Sequence, residues 1–325
     1  MKVLITITPF GNKNKSPLDL LEKSNIEYVL NPLNKKPSEV ELLEMINDCD
    51  AVIAGTEKIS KNVINNANKL KHISRVGIGL DSIDLLAAEK KGIKVSYTPD
   101  IPSPAIAELT VGMMLTLLRS THVSNSRMHL GQWYRVFGRS ISNITVGLIG
   151  VGRVGSLIIK YLQAFKPQKI LANDVSKPLK DLGFKVEWVE KEQIFKEADI
   201  ISLHLPLTGL TKNLIKKDQL MSMKKDAIII NTSRGGIINE KDLYDVMKIG
   251  HLSGAAIDVF ENEPYKGLLK NIERCLMTSH IGSMTFDCRA KMEIEATEEV
   301  IRFLTGKPLE KEVPKQEFKT RRERL

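Results

Sequence analysis

Four ionisable residues lie after short hydrophobic runs in the second half of the sequence: Arg234, Asp258, Glu263 and His280. If these runs are parallel strands, their carboxyl ends meet at one sheet edge, where open α/β folds bind ligands. Reduction of a 2-keto acid needs a cation for the carboxylate or carbonyl oxygen, and a histidine to protonate the forming hydroxyl. A carboxylate beside that histidine orients its ring. The residues indicate such a site, although each alone also fits a structural strand-end or turn role.

His204 follows the run Ile200–Leu203 in the same way, and its sequence context leaves two interpretations open. One is a catalytic ring, and the other is a ring held by nearby backbone. The remaining histidines show no spacing typical of metal ligands, and the cysteines form no CxxC pair. We therefore expect no metal site among His72, His122, His129, His251, Cys49, Cys275 and Cys288.

A glycine-rich turn, Gly150-x-Gly152-x-x-Gly155, separates a strand-type run from a helix-type run. This context is what the dinucleotide-binding fingerprint requires. The first glycine permits the tight turn, the second lets the backbone approach a pyrophosphate, and the third allows close packing of helix on strand. The amides of the helix N-terminus then face the phosphates.

The fingerprint also requires an acid about 20 residues further on, at the end of the second strand. Asp174 lies 174 − 155 = 19 residues after Gly155 and follows the run Lys169–Asn173. A carboxylate there accepts hydrogen bonds from the ribose hydroxyls and repels a 2′-phosphate. The sequence therefore predicts NAD rather than NADP, with Lys177 as a cation that could partly accommodate a phosphate.

Strand-type and helix-type runs alternate through almost the whole chain. The alternation pauses at Thr98–Pro104, where three prolines mark a linker. This pattern predicts an α/β protein with two doubly wound parallel-sheet domains. We expect the active site in the cleft between them. Expected helices include one with Ser16 as N-cap, one over Asp81–Lys91 and a final one from about Ser283 to Leu304.

The composition is that of an ordinary globular protein. The 325 residues suggest about two domains, and 42% are hydrophobic. Apolar runs are too short to span a bilayer, the amino terminus does not read as a signal peptide, and three cysteines fit a reducing compartment. The net charge of +9 is spread along the chain, apart from the tail Lys319–Arg324, which we expect to be solvated. We predict a cytoplasmic protein without nucleic-acid or membrane partners.

An ordered series of motifs gives the chain its family resemblance. The sequence resembles the D-isomer-specific 2-hydroxyacid dehydrogenases over nearly its whole length, and among them the short-form D-3-phosphoglycerate dehydrogenases. The matching stretches are the glycine fingerprint and the segments Arg75–Asp81, Ala107–Thr110, His204–Thr208, Asn231–Gly236, Asp258–Pro264 and Ser279–Gly282.

The resemblance implies roles for individual residues. Arg234 is the ligand of the substrate carboxylate and carbonyl, His280 is the acid/base and Glu263 is the acid paired with it. Asp258 holds the nicotinamide carboxamide. Further contacts with NAD are implied for the fingerprint glycines, for Arg234 and His280, and for Arg153, Val154, Asp174, Leu205, Thr232 and Ser283, with Thr98 a weaker match. The substrate loop is implied to bind the carboxylate through Gly77, Ile78 and Gly79, and Arg75 is expected to bind a second anion on the substrate.

The resemblance also implies an organisation for the chain. A flavodoxin-like substrate domain comprises residues 1–99 and is completed by a carboxyl-terminal helix within 288–325. A Rossmann NAD-binding domain comprises residues 100–287. Family members form homodimers through the region after the linker, which here contains Trp133. Ser279 stands where the family usually has proline, and Ser82 stands where it usually has asparagine. These departures bear on the identity of the substrate more than on the type of reaction.

The function implied is reversible hydride transfer between NAD and C2 of a D-2-hydroxy acid. The leading substrate pair is 3-phosphoglycerate and 3-phosphohydroxypyruvate, which would place the protein in serine biosynthesis. The alternatives are glyoxylate or hydroxypyruvate reduction, and a non-catalytic NAD-sensing scaffold that resembles a corepressor. Formate dehydrogenase is disfavoured, because it carries glutamine at the position of Glu263.

Overall fold

The structure is a computed structural model that describes residues 1–175 and 185–322. The chain forms two compact units. The first contains Met1–Pro102 together with Met284–Leu325, and the second contains Ser103–Ser283. Each unit is built on one sheet in which all named strand pairs are parallel.

The first unit contains a five-stranded sheet with the order β2-β1-β3-β4-β5. Its strands are β1 (Lys2–Ile5), β2 (Glu27–Leu30), β3 (Ala51–Ala54), β4 (His72–Arg75) and β5 (Lys94–Tyr97). The connecting helices are α1 (Ser16–Lys23), α2 (Glu39–Ile46), α3 (Lys61–Asn66) and α4 (Leu85–Lys90). β3 and β4 are buried along their whole length, as expected for parallel strands covered on both faces.

Local capping decides where the helices of this unit begin. Ser38 forms a capping box with Glu41 at the start of α2. The expected N-cap at Ser16 was wrong, because Ser16 is the first helical residue of α1 and Lys15 precedes it. The expected start at Asp81 was also wrong. Asp84 is the N-cap of α4 and accepts a hydrogen bond of 2.9 Å from the Ala87 amide.

The second unit contains a seven-stranded sheet with the order β12-β11-β10-β9-β6-β7-β8. Its strands are β6 (Thr145–Ile149), β7 (Lys169–Asn173), β8 (Glu187–Trp188), β9 (Ile200–Leu203), β10 (Ile228–Asn231), β11 (Gly254–Ile257) and β12 (Cys275–Met277). Its helices are α5 (Pro102–Arg119), α6 (Thr121–His129), α7 (Arg153–Leu162), α8 (Lys191–Glu197), α9 (Lys217–Ser222) and α10 (Glu240–Lys248). The strand order reverses between β6 and β9, which creates the crevice where doubly wound sheets bind ligands.

Two further helices follow the second unit along the chain and belong to the first. They are α11 (Phe286–Leu304) and α12 (Lys315–Arg322). Of the expected solvated tail Lys319–Arg324, Lys319 and Arg322 are exposed, and Arg321 is half-buried. Before these residues, Val313 is buried and Phe318 packs against the hydrophobic core of the first unit, so burial of apolar surface holds α12 in place.

The described part of the chain contains neither a membrane-spanning helix nor a group of metal-ligating side chains. Within 1–175 and 185–322, no helix is long and apolar enough to cross a membrane. The same part of the chain contains no cluster of His, Cys, Asp and Glu that could hold a metal ion. All three cysteines are reduced and buried.

Candidate active site

The turn after β6 adopts a conformation that only glycine fits well. Gly150 has φ +96°, and a Cβ there would lie 2.3 Å from the His204 carbonyl oxygen. A Cβ at Gly155 would lie 2.3 Å from the Gly150 carbonyl oxygen, whereas a Cβ at Gly152 would have no atom within 4 Å. Two of the glycines are therefore needed for packing, and the third leaves open space beside the backbone.

This open space lies at the amino terminus of α7. Gly152 is the N-cap and provides no side-chain cap, so the helix presents backbone amides and the positive end of its dipole. Arg153 and Val154 form the first turn. The turn follows β6 at the reversal of strand order, and the residues fit the pyrophosphate of a dinucleotide.

Asp174 follows β7 directly and contacts the same turn. Its Oδ2 accepts a hydrogen bond of 2.6 Å from the Val151 amide. The carboxylate is thereby fixed beside the glycine fingerprint, where the ribose of a bound dinucleotide would lie. Lys177 lies outside the described residues.

His280 and Glu263 form a hydrogen-bonded pair. The His280 Nδ1 atom lies 2.9 Å from Glu263 Oε2 and 3.1 Å from Oε1. Glu263 Oε1 also accepts a hydrogen bond of 3.1 Å from the Phe260 amide, which orients the carboxylate. A carboxylate at Nδ1 places the proton there in the neutral ring, so the Nε2 atom is left for proton exchange with a substrate. The side chains are 38% and 31% exposed, so the pair is accessible to solvent.

Asp258 holds the loop that carries His280. This buried carboxylate accepts hydrogen bonds from the Thr278 hydroxyl at 2.6 Å, the Ile281 amide at 2.8 Å and the Gly282 amide at 3.0 Å. The Asp258 carbonyl accepts another from the His280 amide at 2.9 Å. His280 has φ +55°, a left-handed conformation that costs a non-glycine residue about 1–2 kcal/mol. Each hydrogen bond to a carboxylate contributes about 1.5–3 kcal/mol, so these contacts offset that cost.

The loop after β10 carries Arg234 and is shaped by Asn231. The Asn231 amide donates to the Arg234 carbonyl at 2.8 Å, and its oxygen accepts from the Ser233 amide at 3.1 Å and the Ser233 hydroxyl at 2.8 Å. Gly235 lets this loop contact the next one, since a Cβ there would lie 2.0 Å from the Phe260 carbonyl. The backbone that bears Arg234 is thus packed against the loop that leads to Glu263.

The other residues expected to contact NAD also follow strand ends of the second sheet. Leu205 comes after β9 and packs against Gly150, and Thr232 comes after β10. The buried Thr232 hydroxyl forms a hydrogen bond of 2.8 Å with Thr110 of α5. Ser283 is the last residue of the second unit. The sequence alone indicates no role for Asn231, Thr110 or Thr278, because only the three-dimensional structure shows their partners.

His204 is structural in this arrangement. The residue is half-buried, and its Nε2 atom lies 2.9 Å from the Ser202 hydroxyl. Burial lowers the pKa of His204 to about 3, so the ring stays neutral and is no proton donor near neutral pH. Of the two interpretations that the sequence left open, these contacts favour the structural one. The ring is held by the Ser202 side chain, whereas the sequence interpretation expected backbone.

The loop expected to bind the substrate carboxylate, Val76–Leu80, follows β4 in the first unit. The Gly77 amide donates to the Thr98 hydroxyl at 2.7 Å, and the Thr98 amide donates to the Gly77 carbonyl at 3.3 Å. Among the described residues, the Ile78, Gly79 and Leu80 amides donate to no protein acceptor. The Ile78 and Gly79 amides, in the middle of the loop, are therefore open to a ligand.

Arg75 lies at the start of this loop and is 8% exposed. Its guanidinium donates to the Val76 carbonyl and packs against Gly77, where a Cβ would lie 2.7 Å from Nη1. A cation is thus buried beside the loop, in contact with its backbone. This position suits either an anionic ligand or support of the loop itself.

Comparison with known proteins extends these observations. Residues 111–282 match the model of the D-isomer specific 2-hydroxyacid dehydrogenase, NAD binding domain. A hydroxypyruvate reductase of Thermotoga maritima is 37% identical over 88% of this chain and 93% of its own length. A D-3-phosphoglycerate dehydrogenase of Methanocaldococcus jannaschii is 37% identical over 94% of this chain and 58% of its own. The crystal structure of the TT0316 protein of Thermus thermophilus superimposes with a TM-score of 0.89 at 30% identity, over 97% of this chain and 100% of that chain.

The position of Asp174 predicts a preference for NADH. Wild-type protein should show kcat/KM with NADH at least about tenfold above that with NADPH. NADPH carries a 2′-phosphate in place of the hydroxyl that would donate to Asp174, and the carboxylate repels this phosphate. Asp174→Ala should reduce this ratio. Asp174→Asn should reduce it with less loss of NADH affinity, because the amide oxygen can still accept from Val151. Equal kcat/KM values for both cofactors in wild type would contradict the assignment.

Proposed function

Because the chain belongs to the D-isomer specific 2-hydroxyacid dehydrogenase family, we propose that it interconverts a small 2-keto acid and its D-2-hydroxy acid through the His280–Glu263 pair. The protein is an NAD-dependent oxidoreductase of this family. The observation that carries the proposal is the contact of 2.9 Å between His280 Nδ1 and Glu263 Oε2. The pair lies at the carboxyl edge of the NAD-binding sheet.

We assign the steps to individual groups. NADH, when bound, supplies the hydride that C2 of the keto acid accepts. Protonated His280 gives its Nε2 proton to the carbonyl oxygen, while Glu263 stabilises the imidazolium before transfer. Arg234 binds the carboxylate and polarises the carbonyl. Asp258 would accept a hydrogen bond from the carboxamide of a bound nicotinamide, and it maintains the His280 loop.

The proposal has one rival of another class, a scaffold that binds NAD without turnover. Such a scaffold could retain all of the residues above. NADH oxidation with a panel of glyoxylate, pyruvate, hydroxypyruvate and 3-phosphohydroxypyruvate separates the two. Steady turnover of any of these acids supports the enzyme, and NADH binding without turnover of a broader keto-acid panel supports the scaffold.

Removal of the proton donor should abolish most of the activity. His280→Ala should lower kcat by about 10²–10⁴-fold and leave NADH affinity within a few-fold, since proton transfer acts mainly in the transition state. Steady-state kinetics and a fluorescence titration with NADH measure the two effects. A variant with near-normal kcat would show that another group is the acid.

The charge of Glu263 should control the pH dependence of reduction. Glu263→Gln removes the anion that stabilises imidazolium, so the ring loses its proton at lower pH. Reduction requires the protonated ring. The variant should therefore lose keto-acid reduction at a lower pH than wild type in a kcat/KM profile. A descending limb that stays in place or moves to higher pH would be inconsistent with the pairing.

For the substrate, we propose 3-phosphohydroxypyruvate and 3-phosphoglycerate. The support is the buried guanidinium of Arg75 beside the Ile78 and Gly79 amides, because a guanidinium can bind a phosphate bidentately while the amides bind a carboxylate. A relative of 37% identity is named D-3-phosphoglycerate dehydrogenase. A second candidate is hydroxypyruvate or glyoxylate, favoured by the bond of Arg75 to its own loop at the Val76 carbonyl.

Arg75 distinguishes these substrates. If it binds phosphate, Arg75→Ala should raise KM for 3-phosphohydroxypyruvate about tenfold or more and barely change the kinetics with hydroxypyruvate. The two acids differ only in the phosphoryl group, so each serves as the control for the other. An equal loss on both would show that Arg75 supports the loop. Faster wild-type turnover of glyoxylate than of 3-phosphohydroxypyruvate would favour the second candidate.

We also propose that the protein is a homodimer. The segment after the linker exposes a series of large apolar side chains, which commonly marks an association surface. They are Met128, Leu130, Trp133, Tyr134 and Phe137. A second copy of the chain is the proposed occupant, and the mass of the assembly in solution, measured by light scattering, decides between dimer and monomer.

A further inference from the structure

The substrate loop is fastened at both ends and open in the middle. At the first end, Gly77 exchanges two hydrogen bonds with Thr98, whose side chain is fully buried. At the other end, the Leu80 carbonyl accepts a hydrogen bond of 2.8 Å from Arg321 Nη2. The open residues between these contacts are Ile78 and Gly79. Their amides keep their direction only if both ends of the loop stay in place.

The Leu80 contact depends on a segment that lies more than 200 residues further along the chain. The Glu299 carboxylate of α11 is buried and accepts from the Glu310 amide at 3.1 Å and the Lys311 amide at 3.0 Å. The chain then runs antiparallel beside β5, where the Val313 amide donates to the Val95 carbonyl at 2.9 Å. This pairing directs the following residues to the loop side of the first unit.

Helix α12 then docks through two kinds of contact. Phe318 packs against the hydrophobic core, and Arg321 lies three residues later on the same helical face. Arg322 forms an ion pair with Glu89 of α4. Leu80 itself is buried in the core that Phe318 covers. The docked helix therefore brings one guanidinium to the loop and the next one to a surface carboxylate.

Arg321 provides the stronger of the two bonds at the Leu80 carbonyl. The other donor is the Ile83 amide, at 3.3 Å. A charged donor at 2.8 Å forms a hydrogen bond about twice as strong as a neutral one. Without Arg321 the carbonyl would retain only the long bond, and the backbone next to Gly79 would be held less firmly, although the Leu80 side chain stays in the core.

We propose that Arg321 is a positioning residue for the substrate carboxylate, which acts by holding the Leu80 end of the loop that presents the Ile78 and Gly79 amides. This inference rests on the proposed function, because it assumes that the loop binds a keto-acid carboxylate. It predicts an effect on substrate binding with little effect on the chemical step. It also predicts the same effect on every 2-keto acid, since all of them carry the carboxylate.

Kinetics of three variants of the full chain test the proposal, with NADH and either hydroxypyruvate or 3-phosphohydroxypyruvate as substrate. Arg321→Ala should raise KM for both acids about three- to tenfold, with kcat and KM for NADH within twofold of wild type. Arg321→Lys retains a charged donor and should recover part of the loss. Arg322→Ala is the matched control, because it removes an ion pair of the same helix that does not touch the loop.

The outcomes separate clearly. Unchanged KM in Arg321→Ala overturns the proposal, and so does an equal rise in Arg322→Ala, which would mean that docking of the whole helix matters. Thermal unfolding of each variant identifies the temperature at which all are folded, and the kinetics are measured there. A wild-type protein that reduces no keto acid refutes the proposed function. A wild type that does so, with Arg321→Ala unaffected, refutes the positioning role alone.

Discussion

The buried carboxylate of Asp258 is the constraint on which the catalytic geometry depends. It collects donors from Thr278, Ile281 and Gly282, and so ties the end of β11 to the loop after β12. His280 is held in a left-handed conformation within that loop, facing Glu263. A buried carboxylate would be costly without partners, whereas three charged hydrogen bonds offset its desolvation and the backbone strain together. His280, the proposed acid/base, is therefore placed by the carboxylate of Asp258 through the residues on either side of it in the loop.

The candidate site also requires that neighbouring loops approach each other closely. Glycine permits this approach because it has no side chain. Gly235 packs on the Phe260 carbonyl, and Gly150 packs on the His204 carbonyl. The first contact brings the Arg234 loop against the loop that carries Glu263, and the second joins the nucleotide turn to the end of β9. Because these contacts are with backbone, a larger residue could be accommodated only by moving a loop. The arrangement of the candidate site thus depends on backbone packing as much as on its ionisable groups.

In the first unit, too, hydrogen bonds from outside a loop hold its backbone in place. Its Val76–Leu80 loop is short, and Gly77 and the Leu80 carbonyl at its two ends are hydrogen-bonded to Thr98 and Arg321. Between these ends, the Ile78 and Gly79 amides donate to no acceptor in the described part of the chain. A loop of this kind loses its conformational entropy during folding. The entropic cost of ordering the loop when a ligand binds is therefore smaller. Arg75, packed against Gly77, adds a buried positive charge to the same short segment.

The sequence by itself determined the α/β class, the NAD fingerprint and the family, because periodicity, glycine spacing and motif order are local properties of the chain. It also placed Arg234, Glu263 and His280 after strands, but it could not show that Asn231 and Asp258 build the loops around them. Only the tertiary structure decided that Asp84 rather than Asp81 caps α4, that the His204 ring contacts the Ser202 hydroxyl, and that Arg321 near the carboxyl terminus contacts Leu80. These outcomes depend on strand register and on partners distant in sequence, since a hydrogen bond forms only where folding brings a donor and an acceptor together.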